Sequence, residues 1–249
     1  MLFSSCNKGE KADDMSIEEL ETLIRSTYDA QANKTNAEYE ELLNELSKDK
    51  YIVLPMYQMI DTVNPDKVIV CLRHDVDAHP FKALELATME YLHGISSTYF
   101  FLSTATYYGT FTKNGMVRHE CMKDIYQKIS YFGHEIGIHN DLLAVMIEHN
   151  LDPFVFSQEE IAYYNSLGIT IYGTASHGSS IARETVANYQ IFSDFSKSNY
   201  VEFNGTQYPI GMHSLADYGF KYEAYFINDN KSFSDSGENG MSQVEALAA

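Results

Sequence analysis

Tryptophan is absent from this chain of 249 residues, cysteine occurs only three times, and 17 lysines and arginines face 35 aspartates and glutamates. Each shortage excludes something. A formal net charge of −18 argues against a nucleic-acid partner, because phosphate backbones are held by lysine and arginine. It also disfavours anionic membrane surfaces. Three cysteines cannot form a disulfide framework. Cys71, inside an apolar run, and Cys121, inside a helical pattern, read as packed, inert thiols. No stretch approaches the ~20 apolar residues of a membrane-spanning helix, and there is no internal repeat or low-complexity tract. What remains suits a large globular unit: 45% hydrophobic residues, with 19 tyrosines and 14 phenylalanines, most of them core material. The acidic surplus tolerates a neutral or cationic substrate and favours a divalent cation.

The chain divides into a polar tether (1–15), a helical pair (16–50) and a larger unit (51–249). Ser16 and Glu19 form a capping box that opens a helix to about Asp29. Asn36 to about Lys48 repeats the helical pattern with Tyr39, Leu42, Leu43 and Leu46 on one stripe. This pair is expected to pack on the outside of the larger unit or to cover its bottom. Beyond it, strand and helix patterns alternate, which means a parallel α/β fold. The expected elements are strand Lys67–Leu72, helix Pro80 to His93 ending at Gly94, strand Ser97–Leu102, helix Arg118–Phe132 and strand His134–His139. A helix capped by Ser157 and Glu160 and strand Ile169–Gly173 come next, with further strand candidates at Tyr200–Phe203 and Tyr222–Ile227. The first residues, MLFSSCNKGEKADD, resemble the end of a bacterial lipoprotein signal without its basic and apolar regions. Two readings of Cys6 stand: a lipid-anchored residue facing a periplasmic or outer surface, or part of an ordinary N-terminus.

Two short stretches carry the chemistry. Arg73-His74-Asp75-Val76-Asp77 follows the apolar run Lys67–Leu72. Side chains alternate along an extended backbone, so Asp75 and Asp77 project to one side together with Arg73, and His74 to the other. Two adjacent carboxylates repel each other unless a cation or a shared proton compensates. In Gly133–Asp141 (GHEIGIHND), Ile136 and Ile138 share one face while Glu135, Gly137 and His139 share the other. A histidine at the carboxyl end of a strand, with a glycine beneath it, can point into a cavity.

These stretches together resemble the polysaccharide deacetylase (NodB-homology, carbohydrate esterase family 4) family, in its RHDVD-type branch. The similarity continues in AHPFKALELATMEYLHGISSTYFFL after the first motif, in YGTASHGSS where a third motif is expected and in SFSDSGENG near the end, so that it spans roughly residues 67–240. The resemblance implies a distorted (β/α) barrel, a divalent metal (usually zinc) and hydrolysis of N-acetyl groups on a sugar or polysaccharide. It implies that Asp75 is the catalytic base, Asp77 a metal ligand and His139 the first histidine ligand.

The sequence also departs from the family. The usual second histidine position is Leu143, the third motif reads Thr174-Ala175-Ser176-His177-Gly178, and no match to the last motif, which holds a general-acid histidine, is found before Ala249. The metal site is then rebuilt, or the copy is incomplete, or catalysis is lost. Asp75, Asp77, His139 and His177 all fall at strand carboxyl ends, where parallel barrels place their chemistry. A carboxylate and two imidazoles form a three-ligand zinc set with one position open. His177 is therefore a candidate third ligand, a substrate contact or the missing general acid, with His213 the second candidate for the acid or a substrate contact. Arg73 either orients Asp75 or makes a surface salt bridge. Asp235 either reaches the cleft or closes a turn. Two competing functions remain: a carbohydrate-binding protein that has lost the metal set, and an amidase of the same fold acting on a small C–N substrate.

Overall fold

Five strands lie side by side in one all-parallel sheet. The computed structural model describes residues 34–113 and 115–227. The sheet runs β3 (Arg73–Val76), β4 (Thr98–Leu102), β7 (Glu135–Asn140), β8 (Gly173–Ser176) and β11 (Tyr222–Glu223), neighbours in that order. Each sheet neighbour is also the next of these strands along the chain. Parallel crossovers are right-handed, so a strand order that never reverses puts the connecting helices on one face. α3 (Pro80–Leu92), α4 (Cys121–Tyr131) and α6 (Pro153–Ser166) supply most of that layer. The parallel α/β expectation is met. Among the described residues the hydrogen bonding gives an open sheet, with β1 (Tyr51–Val53) and β2 (Val68–Val70) as a separate parallel pair.

Both faces of the central strands β4 and β7 are buried. On the helix side, Tyr99, Phe101, Ile136 and Ile138 pack against Ala83, Leu84, Ala87, Ile125 and Ile129. On the other side, Phe100, Ala175 and Tyr222 pack with Met56 and Ala224. Gly137 and Gly173 lie on that second face because rings occupy their side-chain space. A Cβ at Gly137 would sit 2.4 Å from Cδ1 of Phe100, and one at Gly173 2.0 Å from Cζ of Tyr222. At the amino ends of the strands, α2 (Met56–Met59) is tied down by Met56 N–H to Thr98 Oγ1 (2.8 Å) and Tyr57 N–H to Glu135 Oε2 (3.0 Å).

α1 (Lys34–Leu46) buries Leu42, Leu43 and Leu46 against Tyr51, Met89 and Ile95, so it packs on the exterior helix α3, as its apolar stripe predicts. The first helix of the expected pair, the tether and Cys6 lie outside the described residues, and so does Asp235. No described helix is long and apolar enough to cross a membrane.

Four boundaries move. The strand expected at Lys67–Leu72 splits: Val68–Val70 joins β1, whereas Arg73–Val76 enters the main sheet by pairing with Thr98–Phe101. The motif aspartate Asp75 therefore lies within a strand. The sixth helix starts at Asp152, whose carboxylate accepts from the N–H groups of Phe154 and Val155, with Pro153 at the first helical position. Ser157 and Glu160 are buried inside it, and Glu160 is held by Arg118 and Tyr108. The strand expected at Ile169–Gly173 begins at Gly173, because its register is set by pairing with Ile138–Asn140. Finally, α4 starts at Cys121, because the residues before it form a hairpin of β5 (Gly109–Thr112) and β6 (Gly115–Arg118). A second hairpin joins β9 (Tyr200–Phe203) to β10 (Thr206–Pro209), and two short helices, α5 (Leu142–Ile147) and α7 (Ser180–Glu184), follow β7 and β8. Cys71 is a free cysteine, and burial pushes its thiol up to about 12. Cys121 packs against the main core.

Candidate metal centre

The carboxyl ends of three strands meet at one point. His139 is the fifth residue of β7, and Asp77 and His177 directly follow β3 and β8. One ligand atom from each of Asp77, His139 and His177 lies within 4.8 Å of the others. Nε2 of His139 is 3.2 Å from Oδ1 of Asp77, and Nε2 of His177 is 4.0 Å from the same oxygen. Strand alternation explains the first pair, since Asp75, Phe100, Gly137 and the next residue but one, His139, share a face.

The two imidazoles are oriented alike. His139 donates through Nδ1 to the carbonyl of Ala175 at 2.8 Å. His177 faces Oδ2 of Asp141 through Nδ1 at 3.3 Å. Both therefore turn Nε2 toward Asp77, the arrangement in which metal-binding histidines are fixed by a partner on their other nitrogen. Asp141 is itself built in: Oδ1 accepts from Ser179 Oγ (2.8 Å) and Asn188 Nδ2 (2.9 Å). Asn188 also donates to the carbonyl of His177 (2.7 Å) and accepts from the N–H of Leu143 (2.9 Å). Leu143 is fully buried on α5. The second imidazole comes from β8 instead.

The charges follow this wiring. The hydrogen bond with His139 holds the Asp77 carboxyl below its ordinary value, with the nearby His177 adding to the effect. The Asp141 carboxylate raises His177. Burial alone would raise Asp141, but the hydrogen bonds from His177, Asn188 and Ser179 outweigh it and leave that carboxyl low. Two imidazole nitrogens and a carboxylate oxygen converge, with Nδ1 of each imidazole engaged and the Asp77 side chain 59% exposed. This donor set fits a divalent ion that accepts nitrogen and oxygen ligands, with room for a further ligand from solvent.

Asp75 sits beside the triad, its Oδ2 3.9 Å from Nε2 of His139. Arg73 grips it with two parallel bonds, Nε to Oδ1 at 2.8 Å and Nη2 to Oδ2 at 2.6 Å. The strand parity that places Arg73 with Asp75 also puts His74 behind the sheet, stacked on Tyr99 (4.5 Å) with Nε2 2.6 Å from Glu90. His134 is buried and held by the Ser97 N–H and the Ala87 carbonyl, a structural role. His213 is not brought to the triad. It is exposed and stacks on Phe154 at 4.2 Å, an aromatic contact on α6 that its loop-like sequence context conceals.

Sequence reasoning misses Asp141, Ser179 and Asn188. Asp141 lies two residues after His139 and is the only one with a local cue. Compared with known proteins, the chain matches no family model, no curated protein and no solved structure.

Proposed function

We propose that the protein is a metal-dependent hydrolase that removes acetyl groups from an N-acetylated sugar or polysaccharide, built on a distorted (β/α) barrel. The meeting of Asp77, His139 and His177 at strand carboxyl ends, with the Arg73-clamped Asp75 alongside, carries this reading. The unreversed parallel strand order supports the barrel, and the motif resemblance supports the substrate class.

Asp77, His139 and His177 would hold the ion, with zinc the first choice for a carboxylate and two imidazoles. Such an ion supplies Lewis acidity and a water of lowered pKa. Asp75 accepts the proton of the attacking water, and the bidentate grip of Arg73 keeps its carboxylate oriented. His177 has Nδ1 committed to Asp141 and Nε2 to the ligand position, so it has no proton to give. Asp75, once protonated, returns that proton to the departing amine. Water and amide are thereby converted to acetate and free amine with one carboxyl group acting as base and then acid.

The test is chelator-stripped protein reloaded with zinc, cobalt or manganese and assayed for acetate release from N-acetylated oligosaccharides. One ion per chain and metal-dependent acetate are expected. Asp75→Asn should keep the ion and lose roughly 10²–10⁴-fold in rate. Undiminished acetate from Asp75→Asn contradicts the assignment of the base. Sugar binding without metal or acetate points to a non-catalytic binder, and turnover of small amides alone points to an amidase.

A further inference from the structure

The cleft beside the triad has an aromatic wall for which the hydrolytic chemistry has no use. The cleft measures about 270 Å³ and is lined by Arg73, His177, Arg183, Tyr189 and Tyr225 among others. Tyr189 and Tyr225 are stacked with ring centroids 5.4 Å apart and an interplanar angle of 18°. Tyr225 is nevertheless 71% exposed. Phe226 meets Tyr189 edge-on at 5.0 Å and is itself stacked on Phe195 at 3.9 Å. Four rings thus brace one another on a chain whose other large aromatics mostly fill the core.

The wall is positioned with respect to the triad. Glu223 is almost completely buried, and its carboxylate accepts from two backbone N–H groups at once, Ser176 (2.8 Å) and Tyr225 (2.8 Å). Ser176 immediately precedes His177. One carboxylate therefore fixes both the strand end that delivers the second imidazole and the turn that delivers Tyr225.

The exposed ring of Tyr225, backed by Tyr189, lies beside arginine, histidine and asparagine and makes an amphipathic lining. A pyranose ring has the matching character: a C–H face of partial positive charge, complementary to the negative face of an aromatic ring, and a rim of hydroxyl groups for polar side chains. The cleft volume suits one such ring. We propose that Tyr189 and Tyr225 form a sugar-stacking subsite that seats one pyranose of the glycan next to the triad. This rests on the deacetylase reading for its substrate class, but its binding test does not require turnover.

The experiment is calorimetric titration of the metal-stripped full chain with a β-1,4-linked N-acetylglucosamine tetramer and with single N-acetylhexosamines, on wild type, Tyr225→Ala and Tyr225→Phe. Tyr225→Ala should weaken binding about tenfold, and Tyr225→Phe, which keeps the ring face, should bind like wild type. In the metal-loaded protein, Tyr225→Ala should raise KM and leave kcat near wild type. Far-UV circular dichroism confirms that the variants are folded. Equal binding by Tyr225→Ala and wild type overturns the subsite even where acetate is released, as does failure of the wild type to bind any of these sugars. Ring-dependent sugar binding with no acetate release from the loaded wild type supports the subsite and overturns the hydrolase reading.

Discussion

Asp141 decides whether His177 can act as a ligand, and replacing it with asparagine isolates that role. The side chain is 5% exposed, so little solvent is at hand to replace a lost bond. Its two oxygens serve four donors: Ser179 and Asn188 on Oδ1, and His177 and, at 3.4 Å, the Thr104 hydroxyl on Oδ2. Asparagine has one oxygen and one NH2. If the oxygen stays with Ser179 and Asn188, the NH2 confronts the Nδ1–H of His177. The imidazole must then turn, or move its proton to Nε2 and lose the lone pair that would hold the ion. If the amide flips, two buried donors lose their acceptor, at about 1–3 kcal/mol of stability. Loss of such a partner behind a histidine ligand weakens metal binding by about 10–100-fold, or ~1.4–2.7 kcal/mol. Competition between the protein and a chromophoric chelator for zinc measures the affinity, and urea unfolding followed by circular dichroism measures the stability. A folded Asp141→Asn variant with affinity within about twofold of wild type would refute the reasoning.

Three further perturbations test the scaffold. Glu90 is fully buried and accepts from Tyr39, Ser97, Tyr99 and His74. Burial alone would raise its carboxyl, but the charge of His74 and these hydrogen bonds outweigh it and hold it down to about 2. A depressed carboxyl gives stability that is present above its unfolded value near 4.3 and is lost as pH falls through the folded one, here about 3 kcal/mol. Glu90→Gln should therefore be destabilised at neutral pH and approach wild type below about pH 3, as read from urea midpoints across that range. A difference that does not shrink on acidification contradicts it. Burial lowers His134, so wild-type stability should also decline as pH drops through about 6.5, where the unfolded chain gains a proton that the folded one resists. Gly137→Ala places a methyl group 2.4 Å from Phe100 and should cost about 1–3 kcal/mol in a thermal or urea melt. A neutral outcome would mean that the ring and strand yield freely.

The legible parts of this molecule are those governed by local periodicity. Strand alternation alone puts Asp75 and Arg73 on one face, His74 on the other, and His139 with Gly137 and Glu135, and each of these is found so. Glycine stops at Gly94, Gly133 and Gly168 end their helices with positive φ, as their sequence contexts predict. Where pairing partners set the outcome, the sequence misleads. The strand that precedes His177 starts four residues later than its apolar run suggests, because β7 fixes the register, and the apolar run Lys67–Leu72 yields only Val68–Val70, in a separate pair with β1. The support of His177 comes from Asp141, Ser179 and Asn188, which the fold alone brings together. No spacing rule announces a carboxylate such as Glu90, whose four partners come from a helix, two strands and the segment just before β4.

X-ray absorption at the zinc edge, on protein loaded with one equivalent of zinc, tests the centre most directly. The account predicts two imidazole nitrogens and a carboxylate oxygen at about 2.0–2.1 Å, and loss of one imidazole signal in His177→Ala. A spectrum without imidazole ligation, or one unchanged by that substitution, would contradict it.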